Sequence, residues 1–151
     1  MGDFMDFFDL HCDTLTECMD DGDSLLKNKR DIDFERGKIF GRWNQVFAVF
    51  VPDSMDDSLV EGYFDSACDF YFDELKKKGD VFPILSSEDV RGHSRGVMLA
   101  MESSRGVGSV ERLEKLYERG LRLITLTWNH KNRAAGGCDE GGGLTDWGRE
   151  L

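Results

Sequence analysis

The chain has no long hydrophobic run. No stretch of its 151 residues approaches the roughly 20 consecutive apolar residues that a membrane-spanning helix needs. The N-terminus, residues 1–6, lacks the basic region and the apolar core of a secretory signal, and Asp6 breaks the myristoylation pattern. These absences argue against a membrane partner and favour a soluble, cytoplasmic protein.

Basic charge is also in short supply, with 19 Lys and Arg against 30 Asp and Glu, which gives a formal net charge of −11 and a pI near 4.7. A protein that binds nucleic acid normally presents a basic face. The composition therefore argues against nucleic acid as a partner. The hydrophobic content of 40 % is sufficient for one core, so we expect a single domain over residues 1–151.

Several binding patterns are incomplete in this sequence. The four cysteines, at positions 12, 18, 68 and 138, show no Cys-x-x-Cys spacing, which indicates neither a zinc knuckle nor a disulfide framework. The glycine-rich segment 136–143 lacks the Lys-Ser/Thr pair of a P-loop, so we interpret it as a flexible active-site loop or a plain connector. The acidic segment 20–23 lacks the spaced glutamate of a calcium loop and is interpreted as a solvated turn.

Strand and helix patterns alternate along the chain. Apolar runs predict strands at 6–11, 44–51, 81–85, 96–101 and 121–127. Helical periodicity and capping residues predict helices at 57–78 before Gly79, at 88–93 after Ser87, at 110–119 between Ser109 and Gly120, and a last one beginning after Thr145. This alternation predicts an α/β fold with a parallel sheet. The run 44–51 is apolar on both faces, as in a strand that is covered on both sides.

Three of the predicted strands end in groups that can bind a metal or a polar substrate, and the last of them is followed by Asn129 and His130. His11 and Asp13 follow the first strand in the sequence DLHCDT, and their two-residue spacing predicts side chains on one face of the strand. Cys12 between them is then expected to pack on the opposite face. Glu102 ends the strand 96–101 after an apolar run. An isolated His-x-Asp pair is more often a capped turn, but an imidazole and carboxylates placed together suit a divalent cation.

Five segments, taken together, resemble the membrane (renal-type) dipeptidases, the zinc peptidase family M19, in their bacterial form. The segments are DLHCDT at 9–14, the stretch 37–50 that ends in QVFAVF, MLAME at 98–102, GLR with LTWN at 120–129, and GLT with Gly148 at 143–148. They occur in the family's order over nearly the whole chain. No single segment is distinctive, and their common order carries the resemblance.

The resemblance implies the N-terminal half of a TIM-type (β/α)8 barrel with a two-zinc site at the carboxyl ends of the strands. His11 and Asp13 would bind the first ion, and Glu102 would bridge both. The implied activity is that of a zinc-dependent dipeptidase, which hydrolyses a dipeptide through a hydroxide that bridges the two metals. The second pair of ligand histidines and the acid–base aspartate would lie beyond Leu151, so no acid–base residue is expected within this chain.

Two further residues are expected to contact the substrate. In the animal enzymes a histidine follows the Leu-Thr pair and polarises the substrate carbonyl, whereas here Trp128 stands in that place and His130 comes two residues later. We therefore predict that Trp128 and His130 bind substrate. The alternatives are core or pocket packing for Trp128 and a solvent-exposed loop position for His130.

The length raises other possibilities. A complete barrel takes about 250 residues, so a chain of 151 residues supplies roughly four strand–helix units and leaves an unpaired strand edge. We expect the chain to be the front part of a longer protein, to pair with another half as a homo-oligomer, or to be inactive. Two alternative functions are another barrel metallohydrolase, of amidohydrolase or phosphoesterase type, and a non-catalytic fragment that binds or supports a partner.

Overall fold

The computed structural model describes residues 5–77 and 79–151. The first four residues and Lys78, where the longest helix was predicted to end, lie outside the described residues. The described strands are β1 (Phe7–Asp9), β2 (Trp43–Phe50), β3 (Phe82–Pro83), β4 (Arg95–Glu102) and β5 (Leu121–Thr125). The described α-helices are α1 (Thr14–Asp21), α2 (Asp57–Lys76), α3 (Asp89–Gly92), α4 (Val110–Arg119) and α5 (Asp146–Glu150).

All pairings between these strands are parallel, which confirms the predicted α/β class. The sheet runs β1-β2-β4, and two strands share the far edge of β4. The short β3 pairs with the start of β4, and β5 pairs with its end, from Leu99 to Glu102. Because the strands are parallel, the carboxyl ends of β1, β2, β4 and β5 lie at one edge of the sheet.

The central strand β2 is covered on both faces, as its sequence predicts. Its odd-numbered side chains, such as Phe47 and Val49, are buried in the main core against the helices. Its even-numbered side chains Val46 and Ala48 are buried with Ala100 of β4 on the inner face. Successive side chains on a strand point to opposite faces, so the doubly buried strand fixes which face each neighbouring residue occupies.

The longest helices follow their sequence signals closely. Asp56 caps α2 by accepting a hydrogen bond from the Ser58 N–H at 2.8 Å, and Ser109 caps α4 by accepting one from the Arg112 N–H at 3.1 Å. Tyr71 on the buried side of α2 donates from its hydroxyl to the Val97 carbonyl of β4 at 2.9 Å. This bond fixes the helix against the sheet at a point where the phenol is fully buried.

The C-terminal helix also begins where it was predicted. The Thr145 hydroxyl oxygen accepts a hydrogen bond from the Gly148 N–H at 3.0 Å, and the Thr145 N–H donates to the Ala134 carbonyl at 2.9 Å. A Cβ on Gly148 would lie 2.0 Å from the Ala134 oxygen. The absence of a side chain there allows α5 to pack directly on the backbone of Ala134, just before the glycine-rich segment.

Other elements differ from their predictions. Helix α1 was not predicted, because its largely polar composition gives no clear apolar periodicity, although Leu15 and Cys18 are buried. The acidic segment 20–23 contains the C-terminus of this helix, where Gly22 has φ 70°. The Ser87 cap was wrong: α3 starts after Glu88 with no side-chain cap. Strand β5 ends at Thr125, two residues early. No helix in residues 5–77 and 79–151 is long and apolar enough to span a membrane.

Candidate metal site

The segment that carries His11 and Asp13 leaves β1 through a one-residue bulge. Asp9 pairs with Gln45 of β2, as a regular parallel strand requires. The Cys12 N–H then donates to the Val46 carbonyl at 3.1 Å, and the Cys12 carbonyl accepts from the Ala48 N–H at 2.9 Å, so that Cys12 pairs with Phe47. Three steps along β1 therefore oppose two steps along β2, which inserts one extra residue and re-aims the side chains that follow.

The bulge decides which face the candidate ligands occupy. Cys12 packs against the main core beside α1, on the outer face of the sheet. Burial raises the pKa of its thiol to about 12, so Cys12 is a packed thiol and not an anionic ligand. His11 and Asp13 on either side of it point to the inner face. The predicted arrangement is therefore correct, although these residues lie after β1 and not within it.

Glu102 completes the group from β4, which lies on the other side of β2 from β1. It is the last residue of β4, on the inner face, with Phe50 of β2 and Thr125 of β5 as its register partners. His11 Nε2 lies 3.3 Å from Asp13 Oδ1 and 3.5 Å from Glu102 Oε2. One ligand atom from each of the three residues falls within 4.8 Å of the others.

These three residues, the triad, have the chemistry of a metal site. Tetrahedral ligands bound at about 2.0–2.1 Å lie roughly 3.3 Å apart, which matches the observed separations from His11 Nε2. His11 and Asp13 are about half exposed, and Glu102 is 13 % exposed. Burial, reinforced by Asp13, raises the pKa of the Glu102 carboxyl, and His11 opposes the shift. Two carboxylates and an imidazole held this close favour a shared cation.

Trp128 lies near the triad through an aromatic contact. Its indole meets the Phe50 ring edge to face, with centroids 5.0 Å apart, and is 39 % exposed. Phe50 is in turn the register partner of Glu102. The two rings form an apolar wall beside the Glu102 carboxylate. Phe50 was not predicted as a site residue, because in the sequence it is one more residue of an apolar strand.

His130 belongs to a different cluster. Its Nδ1 lies 3.0 Å from Glu140 Oε1 and 3.5 Å from Asp139 Oδ2, while its Nε2 lies 4.0 Å from Asp53 Oδ2. The His130 ring lines a polar cavity of about 470 Å³, and Arg105 and Trp147 line the same cavity. These neighbours place His130 in a half-exposed loop, the alternative that the sequence left open, and its role in substrate binding stays a prediction.

The remaining histidine is far from the triad along the strands. His93 lies two residues before β4 and stacks on Phe82 with ring centroids 4.0 Å apart. Glu102 is at the opposite end of the same eight-residue strand. An eight-residue strand spans more than 20 Å, so His93 cannot join the triad on one metal ion.

Comparison with known proteins agrees with this geometry. The family model of the membrane dipeptidases, peptidase family M19, matches residues 3–151. A comparison with curated protein sequences gives no match. Among solved structures, the crystal structure of the dipeptidase AC, a metallopeptidase of family M19, superposes with a TM-score of 0.82 at 18 % identity, covering 98 % of this chain and 54 % of the other.

A second solved structure is similar to the same degree. It is a metallopeptidase from Rhodobacter sphaeroides, liganded with a phosphinate mimic of the dipeptide L-Ala-D-Ala, with a TM-score of 0.82, 18 % identity, and coverage of 99 % of this chain and 55 % of the other. The chain thus spans about half the length of the structures that it matches.

The fold and the structural matches together define part of an α/β barrel, to which the parallel strands β1, β2, β4 and β5 contribute. The chain belongs to the membrane dipeptidase family, peptidase family M19. The predicted partial barrel is confirmed, and the family match favours a metallopeptidase over the amidohydrolase and phosphoesterase alternatives.

Proposed function

We propose that this chain provides the first-zinc half of a dipeptidase site, in which His11, Asp13 and Glu102 bind zinc. The observation that carries the proposal is the convergence of the three side chains, with ligand atoms within 4.8 Å of one another, at the carboxyl ends of parallel strands. Barrel enzymes place their chemistry at this edge. Membership in a metallopeptidase family supports a catalytic metal over a structural one.

Each residue of the triad has a distinct task in this proposal. His11 and Asp13 would hold one zinc ion, and Glu102, with two carboxylate oxygens at the end of β4, would bind this ion and a second one. Zinc held there would supply the Lewis acidity needed to activate water near neutral pH and to polarise the scissile carbonyl. The partial burial of Glu102 lowers the local dielectric and strengthens its attraction for a cation.

The proposed substrate is a dipeptide. A relative of the same fold was crystallised with a phosphinate mimic of L-Ala-D-Ala, and a tetrahedral phosphinate imitates the species formed when water adds to a peptide bond. The exposed face of Trp128, backed by Phe50, offers an apolar surface beside Glu102. We propose that this wall contacts a side chain of the dipeptide.

The described residues supply only part of a two-zinc site. The second zinc would need ligands besides Glu102, and neither His93 nor His130 belongs to the group of ligand atoms that the triad forms. A non-catalytic role for the 151-residue chain by itself is therefore the second candidate, and it is favoured by the single, three-ligand group that the described residues contain.

Zinc binding by the purified chain tests the proposal directly. We expect one zinc per chain, measured by competition with a chromophoric chelator, and a loss of at least tenfold in affinity for His11→Ala, since one of three protein ligands is removed. His93→Ala is the matched control, because it removes a histidine from the other end of β4. Equal zinc affinity in the wild-type chain and His11→Ala would rule out His11 as a ligand.

Dipeptide hydrolysis tests the catalytic part. In the intact protein, Glu102→Gln is expected to abolish zinc-dependent hydrolysis while leaving the fold unchanged, because an amide cannot bridge two cations as a carboxylate does. Circular dichroism verifies the fold, and hydrolysis is followed by release of the free amino acids. Full activity in Glu102→Gln would refute the bridging role, and zinc binding without hydrolysis in the 151-residue chain would support the non-catalytic candidate.

A further inference from the structure

The residue that follows Glu102 has an unusual backbone conformation. Ser103 has φ 77° and ψ 119°, and it is the only non-glycine residue with positive φ in the described ranges 5–77 and 79–151. A residue with a Cβ rarely adopts this conformation, and it persists only where surrounding contacts hold it. Ser103 is 2 % exposed, so those contacts are internal.

The conformation turns the chain sharply at the end of β4. The Ser103 N–H donates to the Thr125 carbonyl at 3.0 Å, which continues the pairing with β5 for one residue past Glu102. The Ser104 N–H and hydroxyl then both donate to the Leu126 carbonyl, at 3.1 and 2.8 Å. Glu102 is therefore the last residue before a turn whose geometry is fixed by hydrogen bonds on its far side.

Asn132 is the side chain that closes this turn. Its Nδ2 donates to the Leu126 carbonyl at 2.7 Å and lies 3.3 Å from the Ser103 hydroxyl and 3.4 Å from the Ser104 hydroxyl. Its Oδ1 accepts hydrogen bonds from the backbone N–H groups of residues 134 and 135, at 2.8 and 3.2 Å. One amide thus joins the turn after β4, the segment after β5 and the start of the glycine-rich loop.

We propose that Asn132 is a positioning residue for the metal site: it holds the Ser103 turn in its strained conformation and so aims the Glu102 carboxylate at His11 and Asp13. The inference rests on the proposed zinc function of the triad. Glu102 directly precedes Ser103 in the chain. A change of φ at Ser103 towards negative values would therefore rotate the end of β4 and move the Glu102 carboxylate. Partners that orient a metal ligand typically change metal affinity by 10–100-fold when they are removed.

Two substitutions separate this role from general stability. Asn132→Asp keeps the acceptor oxygen for residues 134 and 135 but replaces the donor that bonds Leu126 with an oxygen. Ser103→Gly removes the conformational penalty, because glycine adopts positive φ freely. We expect Asn132→Asp to weaken zinc binding about tenfold or more, Ser103→Gly to leave it unchanged, and the double variant to recover to within about threefold of wild type.

Asn28→Asp is the matched control. The Asn28 amide makes the same kinds of bond, to the Ser24 and Ile32 carbonyls and from the Arg30 N–H, in a loop before β2. It should lower the thermal unfolding temperature without changing zinc affinity. Equal zinc affinity in wild type and Asn132→Asp, or no recovery in the double variant, would overturn the positioning role.

If neither the wild-type chain nor any variant binds zinc, the proposed zinc function is refuted, but the role of Asn132 in the turn can still be tested by a second measurement. In the zinc-free chain, hydrogen exchange of the Ser103 and Ser104 amides reports the turn itself. We expect these two amides to exchange at least tenfold faster in Asn132→Asp and at the wild-type rate in Asn28→Asp. Unchanged exchange of both amides in Asn132→Asp would overturn the inference regardless of zinc.

Discussion

At the scale of single residues, the surroundings of His130 shift the pKa of its ring. A hydrogen bond from the ring to Glu140 raises the pKa of His130 above its ordinary value of 6.5, and the charges of Glu140, Asp139 and Asp53 act in the same direction. The folded chain therefore favours the imidazolium. That contribution to stability is fully present below the pKa of the unfolded chain and is lost as the pH rises through the higher folded pKa.

The substitution Glu140→Gln should lower the pKa of His130 towards its ordinary value. It removes the ionic hydrogen bond to the ring and also the carboxylate charge nearest to it. A proton NMR titration of the ring hydrogens measures the pKa in the folded chain directly. Asp139→Asn is the comparison variant, and its effect should be smaller, since Asp139 lies 3.5 Å from Nδ1 against 3.0 Å for Glu140. A His130 pKa that is unchanged in Glu140→Gln would contradict the assignment of the shift.

The triad shows what residue spacing predicts and what it leaves out. Two-residue spacing correctly placed His11 and Asp13 on one face, and the parallel order correctly brought Glu102 to the same edge. The bulge between Asp9 and Cys12 was not predictable, because it depends on the register with β2. The positive φ of Ser103 has no sequence signal either, since serine gives no preference for that conformation.

At the scale of elements, helix α2 is held at its C-terminal end by a buried carboxylate. Glu74 is 1 % exposed and accepts hydrogen bonds from the Leu25 N–H at 2.8 Å and from the Ser24 hydroxyl, and it pairs with Lys77 one turn on. It joins α2 to the loop after α1. Helical periodicity alone predicted where α2 lies, but it does not predict an acid on the buried face of the helix.

Replacing Glu74→Leu should destabilise the fold by about 2–4 kcal/mol, because two buried donors lose their acceptor and cannot reach water. Glu74→Gln keeps an acceptor oxygen and should cost clearly less. Asp73→Asn, at the exposed neighbouring position, is the control and should leave stability unchanged. Urea unfolding measures all three, and a Glu74→Leu chain as stable as Asp73→Asn would show that the carboxylate is dispensable.

The lengths of elements were predicted less well than their order. Strand β3 contains only Phe82 and Pro83, although the apolar run is longer, because β5 occupies the edge of β4 from Leu99 onwards. Helix α1 went unpredicted because Leu15 is the only large apolar side chain among its buried residues, which include Thr14 and Thr16. Both differences arise from neighbours in space that local patterns do not encode.

At the scale of the whole molecule, the charge balance determines how stability responds to salt. The net charge of −11 is carried by 151 residues, so uncompensated carboxylates repel one another over much of the surface. Basic side chains are largely engaged in short ion pairs, such as Arg112 with Asp65 at 3.1 Å and Arg42 with Asp6 at 3.0 Å. Salt weakens both the repulsion between carboxylates and the attraction within ion pairs. Which of the two weakens more depends on how far apart the charges are.

At an ionic strength of about 0.1 M the Debye length is about 10 Å, so repulsions across the surface are screened far more than ion pairs in direct contact. Exposed ion pairs also contribute little to stability to begin with. The thermal unfolding temperature of the metal-free chain at pH 7 should therefore rise between 10 and roughly 200 mM NaCl, measured by circular dichroism with a chelator present. Near the pI of about 4.7 the net repulsion vanishes, and the same increase in salt should give no stabilisation. If salt instead lowered the unfolding temperature at pH 7, short-range ion pairs would outweigh the acidic excess, and the surface charge would be a stabilising network.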